Sequence, residues 1–128
     1  MTTQSLSVGQ LASLSGLTAH TIRFYEKAGV LQPASRAING HRRYLPADVA
    51  WIEFVLRLKV TGMSLTEIKH YAVLRAQGDT TLQARMKMLK LHRASLVKKV
   101  QQLTENMGGL DSKIRTYKLL ISKSKATR

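Results

Sequence analysis

Cysteine is absent from this 128-residue chain. That excludes disulfides, thiolate metal sites, iron–sulfur clusters and thiol redox sensing. Acidic residues are scarce, seven in all, which leaves little material for acid–base or magnesium-assisted catalysis. The four histidines, His20, His41, His70 and His92, are scattered, with no pair at a metal-ligand spacing. No Ser/His/Asp arrangement, glycine-rich phosphate loop or paired carboxylate stands out, so neither an enzyme nor a metal or other cofactor is expected. No apolar run approaches the length of a membrane span. Residues 1–6 (MTTQSL) carry no positive cluster before an apolar block, so no signal peptide is expected. The expected compartment is the cytoplasm.

Positive charge is plentiful. Lys and Arg number 21, for a net charge of +14, a balance that favours a polyanionic partner such as a nucleic-acid backbone. Residues 1–76 hold 9 basic and 4 acidic residues, net +5, and residues 77–128 hold 12 and 3, net +9. The hydrophobic fraction of 44% suits a globular protein with one modest core.

The most informative stretch runs from Ser7 to Tyr44. Ser7 followed three residues later by Gln10 is a capping-box start, with Val8, Leu11, Ala12 and Leu14 as a short apolar face behind it. Ser15-Gly16-Leu17 breaks that helix, because Gly16 can take the left-handed conformation a helix end needs. Thr18 then caps a second helix, predicted to run to about Lys27 and stop at Ala28-Gly29. Ile22 and Tyr25 point inward, leaving Thr18, His20, Thr21, Arg23 and Phe24 on or near the outer face. Two short helices with a glycine turn make a helix-turn-helix, which lays its second helix in the DNA major groove. Asn39-Gly40 is a type I′ hairpin signal, flanked by Arg36, Arg42 and Arg43, with residues 1–6 a short flexible start. Such a basic ribbon is a wing.

Chemistry divides the roles. Direct base readers would be Thr18, His20, Thr21 and Arg23, whose guanidinium fork matches guanine O6 and N7. Arg23, Lys27, Arg36, Arg42 and Arg43 can pair with phosphates, and His41 lies beside them. Tyr25 can offer its hydroxyl to a phosphate while its ring packs inward, although Tyr25 and Tyr44 are equally readable as core. A hairpin this short has nothing to bury Arg42 and Arg43 in.

Beyond the wing, Pro46 and Asp48 open a third helix, apolar through Val49, Ile52, Phe54, Val55, Leu56, Leu58 and Val60, with Trp51 against the same core. Gly62 ends it. Ser64 and Glu67 form another capping box, starting a fourth helix with Leu65, Ile68, Ala72 and Leu74 or Val73 inward. Residues 75–79 are the one clear linker, and Thr80 or Thr81 restarts the helix. Then Leu82, Met86, Leu89, Arg93, Leu96, Val100, Leu103, Met107, Leu110, Ile114, Tyr117 and Ile121 step by four and three alternately, a heptad seam over five repeats. Such a seam needs a partner, either a second copy of the chain or the fourth helix of its own head. Its length argues for a second copy. Gly108-Gly109 is expected to end or bend this helix, leaving residues 110–121 as a separate short one. Arg85, Lys90, Lys99, Lys113 and Lys118 flank the seam with almost no acidic counterparts, and are read as solvated cations whose stems cover it, the alternative being a second DNA- or polymerase-facing surface.

In VGQLASLSGLTAHTIRFYEKAGVL, NGHRRY and GMSLTEI the chain resembles the MerR-type transcriptional regulators, over most of residues 7–75 and in the family's order and spacing. The resemblance implies that recognition-helix residues and the wing arginine, here Arg42, touch DNA, and that Phe24-Tyr25 occupies a place used for backbone contact. Phe24 lacks the hydroxyl a tyrosine would supply there, and His41 stands where the family usually has an aromatic. It also implies an antiparallel coiled-coil homodimer that bends and untwists promoters whose polymerase-recognition elements are spaced too far apart. Such a switch is stored in DNA deformation energy, on the order of a few kcal/mol. The family's metal and redox sensors use cysteines, and roughly fifty residues after the linker are too few for a large ligand domain. A small ligand, an accessory protein or no effector remains.

The expected architecture is therefore mainly α: a winged helix-turn-helix DNA-binding domain over 1–76, then a helical dimerisation region over 77–128. Leu82, Met86, Leu89, Leu96, Val100, Leu103 and Met107 are the dimerisation residues. The expected function is sequence-specific transcriptional regulation, with promoter DNA, a second copy and RNA polymerase as partners and no membrane. The alternative is an architectural protein that coats nucleic acid without sequence choice, which the basic tail favours and the capped recognition helix and wing oppose.

Overall fold

A computed structural model of the chain describes residues 5–33, 35–36 and 40–126, and for Ser35, Arg36 and Arg42 the description extends to the backbone alone. The chain divides into two compact units, residues 1–89 and 90–128.

Local capping starts most of the helices of the first unit. Ser7 Oγ accepts the Gln10 N–H at 3.1 Å and Gln10 Oε1 accepts the Ser7 N–H at 2.8 Å, a complete capping box for helix α1 (Val8–Ser15). Gly16 ends it at φ 74, the left-handed region where a side chain would be strained. Thr18 Oγ1 accepts the Thr21 N–H at 3.1 Å and opens α2 (Ala19–Lys27). Helix α3 (Ala47–Val60) follows Pro46, which has no side-chain acceptor; Asp48 instead reaches back to the Leu45 N–H at 2.8 Å. Ser64 Oγ takes the Glu67 N–H at 3.2 Å to start α4 (Leu65–Ala76).

Three short strands form an antiparallel sheet: β1 (Leu6–Ser7), β2 (Ser35–Arg36) and β3 (Arg42–Tyr44), in the order β1-β3-β2. β3 pairs with β1 through Leu6↔Tyr44 and with β2 through Arg36↔Arg42. Strand β1 corrects the expectation that residues 1–6 are merely a flexible start. The free edge of β3 recruits Leu6, a pairing across the chain with no local signature.

The core gathers Leu11, Ile22, Tyr25, Leu31, Tyr44, Ile52, Val55 and Ile68, all nearly inaccessible. Trp51 stacks on Tyr71 at 5.9 Å between ring centres, and Phe54 lies 5.7 Å from Tyr71. Arg75 sits 4.3 Å over the Trp51 ring, where the ring's negative face attracts the cation. Trp51 Nε1 donates to the Val30 carbonyl at 2.9 Å, which ties α3 to the segment after α2. Several apolar residues expected inward are not: Leu14, Val60, Leu65 and Val73 are exposed. Tyr71 takes the place on α4 that Val73 or Leu74 was expected to fill. Each of these elements is too short, and too narrowly covered, to bury a second row.

After α4, Gly78 at φ 85 turns the chain into a single 3-10 turn, Asp79–Thr81, and then α5 (Leu82–Ala126). Buried Thr81 donates to the Leu74 carbonyl, and Arg85 donates to Thr81 Oγ1 at 3.0 Å and to the Gly78 carbonyl at 2.9 Å. Arg85 is thus a corner brace rather than a solvated flank.

Helix α5 runs unbroken for 45 residues, correcting the expected break at Gly108-Gly109. Neither glycine is among the positive-φ residues, so no helix-ending turn forms there. Their penalty, about 1 kcal/mol each, is too small against cooperative propagation through long helical flanks on both sides. A Cβ at either would meet nothing within 4 Å. Gly108→Ala with Gly109→Ala is therefore expected to stabilise α5 by up to about 2 kcal/mol, read as a raised thermal midpoint by circular dichroism. A lowered midpoint would show that a neighbouring surface packs closely on those positions.

Candidate nucleic-acid interface

Helix α2 buries Ile22 and Tyr25 and thereby fixes which face it shows. His20, Arg23, Phe24 and Lys27 are all exposed, and their spacing of three, four and seven puts them on one stripe. Thr18 and Thr21 sit at its leading end with hydroxyls 2.9 Å apart. Both hydroxyls are engaged locally, so any base contact from them competes with the cap.

Tyr25 is placed differently from its expected role. Its ring is buried, and its hydroxyl is buried without a hydrogen-bond partner. A group sealed in this way does not reach a phosphate. Leaving it unpaired costs on the order of 1–3 kcal/mol, so Tyr25→Phe is expected to leave DNA affinity unchanged and stability neutral or slightly raised. A clear loss of affinity by fluorescence anisotropy would restore the hydroxyl as a contact.

Beside α2 lies the ribbon of β2 and β3. Asn39 and the side chains of Arg36 and Arg42 lie outside the described residues. His41 is exposed. Arg43 is half-buried, donating from Nε to Ser5 Oγ at 3.0 Å and from Nη2 to the Ser5 carbonyl at 2.9 Å. The expectation that this hairpin has nothing to cover its arginines is thus corrected for Arg43, because the segment leading into β1 supplies the cover. Its guanidinium carries five N–H donors, so the cation still has donors to offer a phosphate.

Tyr44 is fully buried at the base of the ribbon, and its hydroxyl donates to Glu26 Oε2 at 2.5 Å. That bond links β3 to α2 and holds ribbon and helix in one fixed relation. Sequence reasoning missed Glu26. Its signal was an isolated carboxylate on a helix otherwise cationic or neutral, too weak to name a partner 18 residues away. Among the described residues, no group of three or more His, Asp or Glu could hold a metal ion, and no helix is long and apolar enough to cross a membrane.

A cationic helix face locked to an antiparallel ribbon offers two grips on one duplex, the helix in a groove and the ribbon on the backbone. Fold and surface together define a winged helix-turn-helix DNA-binding protein. Comparison with known proteins narrows the class. Residues 6–73 match the MerR HTH family regulatory protein description, and residues 49–113 match MerR, DNA binding. The chain belongs to the MerR family and is a DNA-binding transcriptional regulator of that type.

The chain is 36% identical over 92 residues to the HTH-type transcriptional regulator AdhR of Bacillus subtilis, covering 72% of this chain and 66% of that one. A MerR family regulator crystallised from Listeria monocytogenes superposes with TM-score 0.86 at 31% identity, covering 96% and 95% of the two chains. HiNmlR, a MerR family regulator lacking the sensor domain and solved bound to promoter DNA, superposes with TM-score 0.78 at 30% identity, covering 90% and 91%.

Proposed function

We propose that this regulator binds promoter DNA as a homodimer and controls polymerase access by distorting the duplex. Residues 1–76 act as the reading head and residues 77–128 as the dimerisation region. The observation that carries the reading is α5: none of its residues is buried, and Val100, Leu103, Met107, Leu110, Ile114, Tyr117 and Ile121 on its seam are all more than half exposed. Apolar surface on that scale marks an interaction face. The likeness to a relative solved on promoter DNA supports the same partner here. No catalytic step is assigned, and the site of action is the cytoplasm, with RNA polymerase as the second macromolecule on the same DNA.

On this reading α2 enters the major groove, with His20, Arg23 and the two threonines toward the bases. Lys27, Phe24, Arg36, His41, Arg42 and Arg43 track the backbone. The test is a titration against the chain's own upstream intergenic DNA and a scrambled duplex, at two salt concentrations. Specific binding should exceed the scrambled duplex by about a thousandfold or more, with a two-fold symmetric footprint. Equal binding to both, fading together as salt rises, would instead mean counterion release alone, and a coating protein. Lys27→Ala is expected to weaken both duplexes alike and to reduce the salt slope by about one per protomer.

A further inference from the structure

We infer that the head carries a binding site for a small zwitterion, a free amino acid with an apolar side chain. The site lies between the segment after α2, the first turn of α3 and the last turn of α4. Every residue that lines it belongs to the first compact unit, so the inference depends neither on a second copy nor on DNA.

A cavity of about 390 Å³ opens there, within the range of preformed small-molecule sites. Val30, Leu31, Trp51 and Ala72 supply its apolar wall, and Asp48 and Arg75 supply its charges. Hydrogen bonds fix the wall on each side. The Val30 and Leu31 N–H groups both donate to the Tyr25 carbonyl, at 2.9 and 3.3 Å, which pins the segment to the end of α2. Trp51 is held by its bond to the Val30 carbonyl at 2.9 Å and by its stack on Tyr71 at 5.9 Å. On the α4 side, the Gln77 N–H donates to the Val73 and Leu74 carbonyls at 3.3 and 3.1 Å. A ligand entering such a frame has little structure to order, which favours binding.

The two charges define what the cavity takes. Arg75 lies 4.3 Å over the Trp51 ring and, among the described residues, has no hydrogen bond or ion pair. The indole holds the guanidinium in place through its ring face, yet leaves the N–H fork free for a carboxylate. Asp48 is half-buried, and its Oδ2 accepts the Leu45 N–H at 2.8 Å. Its Oδ1 has no protein partner among the described residues. Asp48 and Arg75 thus line one cavity without pairing with each other. A simple anion there would be repelled by Asp48, and a simple cation by Arg75. A molecule bearing a carboxylate and an ammonium on one short backbone satisfies both groups. Its side chain then rests on Val30, Leu31 and Ala72, where apolar contact replaces water.

Trp51 is the single tryptophan of the chain, so its indole N–H resonance reports this cavity alone. L-leucine and L-phenylalanine are titrated into the full-length protein without DNA. Each is paired with the amine and the acid that lack one of its charges: isoamylamine and isocaproate, phenethylamine and hydrocinnamate. The expected result is a saturable shift of the indole resonance with at least one amino acid, about tenfold or more tighter than with either of its fragments. No saturable shift with either amino acid at millimolar concentration overturns the site. A fragment that binds as tightly as its parent overturns the zwitterion. Asp48→Asn, which keeps an acceptor for the Leu45 N–H, and Arg75→Gln are each expected to weaken binding about tenfold or more. Circular dichroism checks that both variants fold. Unchanged affinity in either folded variant overturns the two-charge site. Because DNA is absent from the titration, its failure leaves the promoter-binding reading untouched.

Discussion

Leu103→Glu is expected to convert the protein to a monomer and to weaken operator binding by a hundredfold or more. Leu103 is exposed on the single chain and central in the seam, so the substitution is harmless to an isolated helix; Glu is a better helix former than most. In the proposed dimer the same position would be covered, and each new carboxylate would lose water without a partner. That penalty is several kcal/mol per buried ion, and symmetry applies it twice. DNA affinity falls with it, because one head bound to a half-site no longer holds the second at high effective concentration. Sedimentation velocity reads the mass, and anisotropy on a full operator and on a half-site reads the linkage. The head should keep its half-site affinity. A variant that stays dimeric would remove the seam from the interface and reassign the exposed stripe to another partner.

The second large effect is expected from Arg23→Ala. Arg23 is exposed on the same stripe as His20 and Lys27, close to the capped end of α2. A guanidinium held bidentate on guanine contributes about 1–3 kcal/mol of discrimination. A two-fold symmetric site loses it twice, about 2–6 kcal/mol, or roughly 30-fold to well over a thousandfold in affinity. The loss should be large on the operator and small on a scrambled duplex. Arg23→Lys separates charge from geometry: it keeps the cation but loses the planar fork, so it should retain non-specific binding and still lose discrimination. Equal losses on both duplexes would make Arg23 a phosphate contact and move base reading to His20 and the threonines.

How much was legible beforehand depends on the range of each interaction. Ser7 with Gln10, Thr18 with Thr21 and Ser64 with Glu67 span three residues each, so the sequence displays donor and acceptor together. Gly16 is legible for a similar reason, because one residue carries the whole conformational requirement. The inward placement of Ile22 followed from helical spacing. Leu14, Val60, Leu65 and Val73 were misread as inward, since periodicity names a face but not how much neighbouring structure exists to cover it.

The break expected at Gly108-Gly109 failed differently. Propensity is a per-residue quantity, whereas ending a helix needs a competing turn that repays the lost hydrogen bonds. Two glycines at ordinary helical angles offer none.

By itself the sequence determined the helix starts, the helix-turn-helix, the seam and the excess of cations. All are written in neighbours three to seven residues apart, where covalent spacing dictates which side chains meet. Only the tertiary structure decided how the parts are held together. Trp51 to the Val30 carbonyl, Tyr44 to Glu26, Arg43 to Ser5 and the recruitment of Leu6 as a strand join residues 18 to 38 positions apart. Each requires the chain to close a loop before the contact can repay its entropy, and many partners satisfy the same donor equally well on paper. Packing of Ile22, Tyr25 and Ile52 into one core selects among them, and that selection seals the Tyr25 hydroxyl while fixing the ribbon beside the recognition helix.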